Sequence, residues 1–397
     1  LCIRLHCHVE CLMGLKTFDS GSKQREIRAY PESVNAICRS FSAYTNTRRL
    51  LNLPPNPNAI QCLDGVRALA MLWVLIGHSF TSQPFAYNNF DVFQVILKYP
   101  SGHVTVDTFF MLSGLLVVYT TRSDGRNIHL FYLNRLLRMF PILATVVLLE
   151  ASFFHSLFDG PVWRTPATHA DRCRAFWWTT LLHVQNYVNP ERVCIGATWY
   201  LAIDVQLHIL SPIVLVWVLS GNNKLAWSAL TASLLSRCYI TVAEKINNQS
   251  LSVERSWAGS LAMHKLFHFF VRSVNIQIAH FQWINMIFWG ISLGLLALVA
   301  YAVLPTVQPD WDNQLVNNLY NSFLRPTWAM ALGWVIFACA KGPINWFLSL
   351  RMWKLPARLS YAMYLFHFSL MTVINSSRIQ PIWFSVEYIV SIADIHT

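Results

Sequence analysis

The sequence predicts an all-α fold, a polytopic bundle of about nine to ten transmembrane helices. The chain has 397 residues, of which 54% are hydrophobic and only 12% are charged, whereas a soluble domain carries about 25% charged residues. Its 16 Trp and 25 Phe residues argue against a disordered chain, because disordered segments are poor in aromatic residues. Apolar runs of about 20 residues, the length that crosses a bilayer, recur along the sequence.

Two regions follow from these runs: a hydrophilic segment over 1–59 and a membrane domain over 60–395. In chain order the predicted spans are 60–80, 104–121, 139–158, 197–219, 225–243, 283–304, 325–340 and 355–374, with a shorter apolar run at 381–395. The third span is expected to begin near Met139, which puts Pro141 in its first turn, where proline costs no hydrogen bond. The aromatic stretch 175–189 is too short to cross comfortably.

Basic residues cluster in the short segments between apolar runs, which is typical of cytoplasmic flanks. We therefore expect an integral, multi-pass protein of the plasma membrane or an endomembrane, with residues 1–59 in the cytosol. The dispersed charges argue against a nucleic-acid partner, which would need one basic face.

If crossings are counted from a cytosolic start, the acidic segment 307–322 would lie on the cytosolic side and the basic segment 341–354 on the opposite side. This reverses the distribution expected of cytoplasmic segments, so one crossing is unaccounted for. Either 175–189 crosses the membrane, or a span is missing from 244–282. That second segment holds too many His, Lys and Arg residues to cross lipid. We expect 244–282 to be a divergent, poorly packed insert beside a gap in the bundle.

Arg67 and His78 are the first candidate functional residues, and both lie in the first predicted span. Their spacing returns them to the same helix face, about 16 Å apart along the axis. Arg67 would lie near the cytoplasmic surface and His78 deep in the bilayer or in its outer half. Histidine at that depth is costly unless it faces the bundle interior, so it is a functional candidate. The open alternative is that a neighbouring helix satisfies His78 and that Arg67 snorkels or pairs with Asp64.

Asp107 falls near the outer end of the second predicted span, within reach of His78. A carboxylate there could orient the imidazole and stabilise its protonated form, as in a catalytic triad. We therefore predict that His78 and Asp107 approach within hydrogen-bonding or one-water distance. Ser113 is a further candidate, although with Gly114 it is more typical of close helix packing.

Arg135 and Arg138 lie between the second and third predicted spans. On a helix, residues three apart are neighbours, and paired guanidinium groups suit bidentate capture of phosphate. This pattern predicts that Arg67, Arg135 and Arg138 converge on one cytosolic-side cavity. The alternative is that the two later arginines only signal topology.

Asp204 and His367 are further candidates within predicted spans. Asp204 and His208 are four residues apart on one face, so they could simply satisfy each other. His367 lies about twelve residues into its span, where interior packing is the alternative to a functional role.

Cys173 and Cys194 flank the aromatic stretch on the side predicted to be non-cytosolic, where a disulfide can form. That bridge would tether both ends of 175–189 to one side of the membrane. The cysteines and histidines near the N-terminus lack the ligand spacing of a zinc finger, so no metal site is predicted.

Five motifs in order resemble the membrane acyltransferase-3 superfamily and, within it, the nose-resistant-to-fluoxetine-like branch of animals. The matching segments are 63–70 with His78, 106–114, Arg135-x-x-Arg138 before Pro141, 199–204, and 359–367. Segment 44–51 also resembles the cytosolic segment of that branch. The resemblance covers roughly residues 40–243 and 283–395, and it does not include the insert.

The resemblance implies transfer of an acyl group from a cytosolic acyl-CoA-type donor to a hydroxyl-bearing acceptor at or across the membrane. In this interpretation His78 is the general base, while Arg67, Arg135 and Arg138 bind the donor phosphates. The donor is a co-substrate, no permanently bound cofactor is expected, and membrane lipids are the surrounding partners. The open alternative is a transporter or a lipid- and drug-uptake protein that uses the same bundle without catalysis.

Overall fold

The computed structural model describes residues 42–52, 60–81, 105–124, 128–157, 159–160, 163–219, 228, 282–302, 313–339 and 344–377. Within these ranges every regular element is a helix, as the sequence predicts. In chain order the helices are α1 (Ala43–Leu51), α2 (Cys62–Thr81), α3 (Thr105–Asp124), α4 (Ile128–Ser152), α5 (Phe154–Leu157), α6 (Arg164–Leu181), α7 (Gln185–Val188), α8 (Trp199–Leu219), α9 (Gln282–Tyr301), α10 (Gln314–Cys339), α11 (Asn345–Leu348) and α12 (Arg351–Ser376).

Three of the described helices are long and apolar enough to cross a membrane: Cys62–Ser79 in α2, His129–Ser152 in α4 and Gln314–Cys339, which is α10. Helices α3 and α9 contribute shorter apolar segments, Thr105–Val117 and Met286–Tyr301. The total of nine to ten spans stays a prediction. The predicted span 225–243, the apolar run 381–395 and the insert up to residue 281 lie outside the described residues, apart from Ser228.

Two helices begin well before their apolar runs. Helix α4 begins at Ile128, so the predicted start near Met139 is wrong, and Pro141 lies inside the helix. Helix α10 begins at Gln314 and carries Pro326 in its interior. Hydropathy marks the length that lipid can cover, whereas the backbone hydrogen bonds continue through the polar turns beyond it. As a result, Arg135 and Arg138 are helical residues rather than loop residues.

The helices define two ends of the bundle. At the proximal end, Cys62 at the start of α2, Cys339 at the end of α10 and Leu348 of α11 share one apolar cluster. Arg358 of α12 donates to the carbonyl oxygens of Leu50 and Asn52, each at 3.1 Å, at the C-terminus of α1. Helices α2 and α12 therefore both begin at the proximal end, and their C-terminal halves lead to the distal end.

Gly65 sets how closely α2 approaches α11. A Cβ atom added at Gly65 would lie 2.5 Å from the carbonyl oxygen of Leu348 and 2.7 Å from its Cα. Both neighbours are backbone atoms, so no side-chain rotation could relieve the overlap. The glycine thus fixes the position of the helix turn that carries Arg67.

The centre of the bundle is packed with aromatic residues. Phe110 of α3 is fully buried, and its ring centroid lies 4.5 Å from that of Tyr200 in α8. The Tyr200 ring lies 5.5 Å from the Tyr364 ring of α12, and the Tyr364 hydroxyl donates to the carbonyl of Ala197 at 2.7 Å. These contacts bring α3, α8 and α12 together.

At the distal end the chain folds between α4 and α8 without one continuous helix. Helix α6 is interrupted at Phe176, and the backbone at His183 turns with φ of 58° before the short α7. The stretch 175–189 is therefore divided between two helices and a turn, and no candidate span covers it. Cys173 and Cys194 form a disulfide, with their Cα atoms 4.1 Å apart. This is the pairing predicted from the sequence, and it closes the segment that contains the stretch.

Candidate functional site

Positive charge gathers at the proximal end, where α2, α4 and α12 meet. Arg67 and Arg138 are close enough for their charges to repel. The Arg67 guanidinium is 3.9 Å from Asp64, and Asp64 also interacts electrostatically with Lys354 and Arg358. Asp64 thus interacts with three cations, and a fourth, Arg138, lies near Arg67; we call these five residues the proximal cationic cluster. Such an excess of guanidinium and ammonium groups is suited to a multiply charged anion.

Arg135 differs from the other two predicted arginines in its environment, because it is buried in an ion pair with Asp204. The Arg135 and Asp204 side chains are only 12% and 8% exposed, whereas Arg67 is 25% exposed. Arg138 is exposed. A guanidinium already paired with a buried carboxylate has less charge to offer a ligand. Among the three predicted arginines, Arg67 and Arg138 are therefore better placed for an incoming anion.

Arg135 also contacts two other polar groups. Its Nη2 donates to Ser113 Oγ at 3.2 Å, and its Nη1 lies 3.4 Å from His208 Nδ1. Ser113 therefore accepts a hydrogen bond in addition to any packing role. Asp204 and His208 both contact Arg135, which links α3, α4 and α8. Sequence spacing had suggested only that the two might satisfy each other.

His78 and His367 meet in the distal half of the bundle. Their ring centroids are 5.1 Å apart, with 51° between the ring planes. His367 is 5% exposed, and its Nδ1 lies 2.7 Å from the carbonyl oxygen of Tyr364. The structure thus places two residues that the sequence predicted separately beside each other.

Phe368 and His169 border the histidine pair. The Phe368 ring centroid is 6.1 Å from that of His78 and 6.0 Å from that of His169, against which it stacks. Burial, and then the nearby charge of Arg172, lower the pKa of His169. Two histidines, His78 and His169, thus contact the Phe368 ring. No group of three metal-ligating side chains in the described residues could hold an ion.

Asp107 pairs with Arg325, which is not among the candidate residues predicted from the sequence. Arg325 Nη1 lies 3.2 Å from Asp107 Oδ1, and the two side chains are 11% and 1% exposed. One turn later, Trp328 Nε1 donates to Thr108 Oγ1 at 3.0 Å. A single arginine at the start of an apolar run demands a counter-charge, and this signal could have identified Arg325. The predicted approach of His78 to Asp107 stays a prediction.

Residues 60–393, which include every predicted site residue, match the model of the acyltransferase domain family. The chain belongs to this acyltransferase domain family. Membership covers both the proximal cationic cluster and the histidine pair. It confirms the resemblance stated from the motifs.

The chain is also similar to several individual proteins. The chain is 26% identical to Nose resistant to fluoxetine protein 6 of Caenorhabditis elegans, over 87% of this chain and 49% of that protein. It is 22% identical to O-acetyltransferase OatA of Staphylococcus aureus, over 82% of this chain and 53% of that protein. It is 24% identical to Regulator of hypoxia-inducible factor 1 of Caenorhabditis elegans, over 50% of this chain and 43% of that protein.

The chain spans about half the length of these relatives. No solved structure matches the chain.

Proposed function

We propose that this chain is an integral-membrane O-acyltransferase. It moves an acyl group from a cytosolic acyl-CoA-type donor to a hydroxyl-bearing acceptor at or across the membrane. Membership in the acyltransferase domain family and the similarity to a protein named O-acetyltransferase support the reaction class. The observation that supports the cytosolic acyl-CoA-type donor is the proximal cationic cluster, whose Arg67 lies on the same helix as His78.

The cationic cluster supports a donor that carries several phosphates. Arg67, Arg138, Lys354 and Arg358 outnumber Asp64, so a phosphate-rich group would be stabilised there. Basic residues at span ends favour the cytoplasmic side, which is where acyl-CoA is found. We therefore assign the proximal end to the cytosol, together with helix α1.

The geometry of α2 supports a donor that enters the bundle from the proximal end. Arg67 and His78 lie on one face of α2, about 16 Å apart along its axis. A donor whose phosphates bind Arg67 and Arg138 would extend its acyl group along that face toward His78. Tyr200, which interacts electrostatically with Arg67, and Tyr364 lie between the two ends.

His78 is the proposed general base. It takes the proton from the acceptor hydroxyl, whose oxygen then attacks the carbonyl carbon of the thioester. The carbon–sulfur bond then breaks, and His78 gives the proton to the departing sulfur. The products are an ester and a free thiol. In the sequence-based hypothesis Asp107 orients His78, and Arg325 would hold that carboxylate in place.

Arg135 has a supporting role in this proposal. Its ion pair with Asp204 and its hydrogen bond to Ser113 hold α3, α4 and α8 together. This packing fixes the helix that presents Arg138, one turn further along α4. Arg135, Asp204 and Ser113 would then act on donor binding only through the position of that helix.

The test uses the purified full chain in liposomes that contain diacylglycerol, cholesterol and lysophospholipid. Radiolabelled acetyl-CoA is the donor, and both its binding and the labelled ester are measured. His78→Ala should lose about 10²- to 10⁴-fold in transfer rate and retain donor binding. Arg67→Ala should weaken donor binding by about 10- to 100-fold, the equivalent of a charged hydrogen bond.

Arg192→Ala is the matched control, because Arg192 is an exposed arginine near the distal disulfide. It should bind acetyl-CoA like the wild type. Equal donor affinity in the Arg67→Ala and Arg192→Ala variants would contradict the phosphate assignment. Absence of transfer and donor binding in the wild type, with uptake of small molecules into the liposomes, would favour the transporter alternative.

A further inference from the structure

The hydrogen bonds of His367 fix which of its ring nitrogens carries the proton. Its Nδ1 lies 2.7 Å from the carbonyl oxygen of Tyr364 and 3.2 Å from that of Met363. A carbonyl oxygen can only accept a hydrogen bond, so Nδ1 must be the N–H donor. In the neutral imidazole the other nitrogen, Nε2, then carries a lone pair.

That lone pair is buried and has no hydrogen-bond partner within the described part of the chain. A buried acceptor without a donor is costly, and such groups in folded proteins call for a functional or structural explanation. The His78 ring is the polar side chain whose centroid lies 5.1 Å away. At this separation one imidazole N–H can point at the lone pair of the other.

We propose that His367 is a positioning residue for His78, accepting a hydrogen bond from one of its ring nitrogens through Nε2. This inference rests on the proposed acyl transfer, in which His78 is the base. If one ring nitrogen of His78 donates to His367, the other ring nitrogen carries the lone pair that accepts the proton of the hydroxyl group. The positive charge that forms on His78 during the reaction is then stabilised by the His367 acceptor.

This arrangement gives His367 the role that the sequence-based hypothesis gave to Asp107. Asp107 is engaged by Arg325 at 3.2 Å. His367 is anchored to its own helix through Nδ1, and its Nε2 is buried without a hydrogen-bond partner in the described part of the chain. Its ring lies beside that of His78. The orienting group of a base needs an acceptor and a fixed position, and His367 has both.

Two substitutions separate this role from simple packing. His367→Asn keeps a side-chain N–H near the Nδ1 position, so the bond to Tyr364 can persist, but it removes the acceptor at Nε2. His367→Gln places an amide group near the Nε2 position, which can accept from His78, and it loses the Nδ1 donor. A packing role predicts that Asn is the better replacement, whereas the positioning role predicts that Gln is.

The experiment measures transfer from radiolabelled acetyl-CoA with both variants in the same liposomes, after thermal unfolding has shown that each is folded. We expect His367→Asn to lose about 10²-fold or more in turnover rate, with the KM for acetyl-CoA unchanged. His367→Gln should retain more activity than His367→Asn. In a His78→Ala background, adding His367→Asn should have no further effect, because the two residues act as a unit.

Several results would overturn the inference. Activity of His367→Asn equal to that of the wild type, or higher than that of His367→Gln, would show that the Nε2 acceptor is not used. Additive losses in the double variant would show that the two histidines act independently. If the wild type transfers no acetyl group, the proposed function and this inference both fail. If the wild type transfers and only the His367 comparisons fail, the proposed function stands without the histidine pair.

Discussion

Neutralising Asp204 tests whether Arg135 holds the bundle together or binds the donor. In Asp204→Asn, Arg135 would keep its charge in a site where its side chain is only 12% exposed. Removing one partner of a buried ion pair costs about 3–5 kcal/mol, because the remaining charge is left uncompensated. Removing both charges, as in Arg135→Met with Asp204→Leu, should cost much less than either single change.

The assay is reversible unfolding of the purified chain in detergent, followed by tryptophan fluorescence, from which the free energy of unfolding is obtained. The exposed pair of Arg174 and Asp171 provides a matched control, since its nitrogen and oxygen are 3.1 Å apart and its side chains are 46% and 73% exposed. Asp171→Asn should cost no more than about 1 kcal/mol. Comparing the buried and the exposed Arg–Asp pair thus isolates the effect of burial on the free energy of unfolding.

Two results would refute this reasoning. An unchanged free energy of unfolding in Asp204→Asn would mean that the buried pair has no structural role. An Arg135→Ala variant with normal stability, but with acetyl-CoA affinity as weak as that of Arg67→Ala, would return Arg135 to the phosphate site. The sequence-based hypothesis would then be correct for all three arginines.

Two further predictions concern the frame around the site. Gly65→Ala should destabilise the fold by about 1–3 kcal/mol, as overpacking does, because the added methyl would overlap the backbone of Leu348. Gly294→Ala is its control, since a Cβ there meets nothing within 4 Å; equal thermal stability of the two variants would contradict the close approach. Peptide mapping under non-reducing conditions should recover Cys173 linked to Cys194, and Cys173→Ser should cost about 3 kcal/mol of stability, the value for a loop of this length. Recovery of both peptides unlinked would disprove the bridge.

The sequence alone was enough to identify the fold class and the family. Low charge, high aromatic content and recurring apolar runs are properties of composition and spacing, so they are visible before folding. The disulfide between Cys173 and Cys194 was also predictable, because both residues flank one stretch that is too short to cross a membrane comfortably. The starts of α4 and α10 were not, because hydropathy reports lipid contact and not the length of the hydrogen-bonded helix.

The partners of the buried charged and polar groups depended on the tertiary structure. Asp107 and Arg325 are separated by 218 residues, and Arg135 and Asp204 by 69, so no local pattern connects them. His78 and His367 were each recognisable as polar residues inside a span, but nothing in either span indicated that they would meet. Which helices are neighbours, and how each is rotated about its axis, decides which buried charges pair. Those two properties arise only when the apolar surfaces of all the helices pack together.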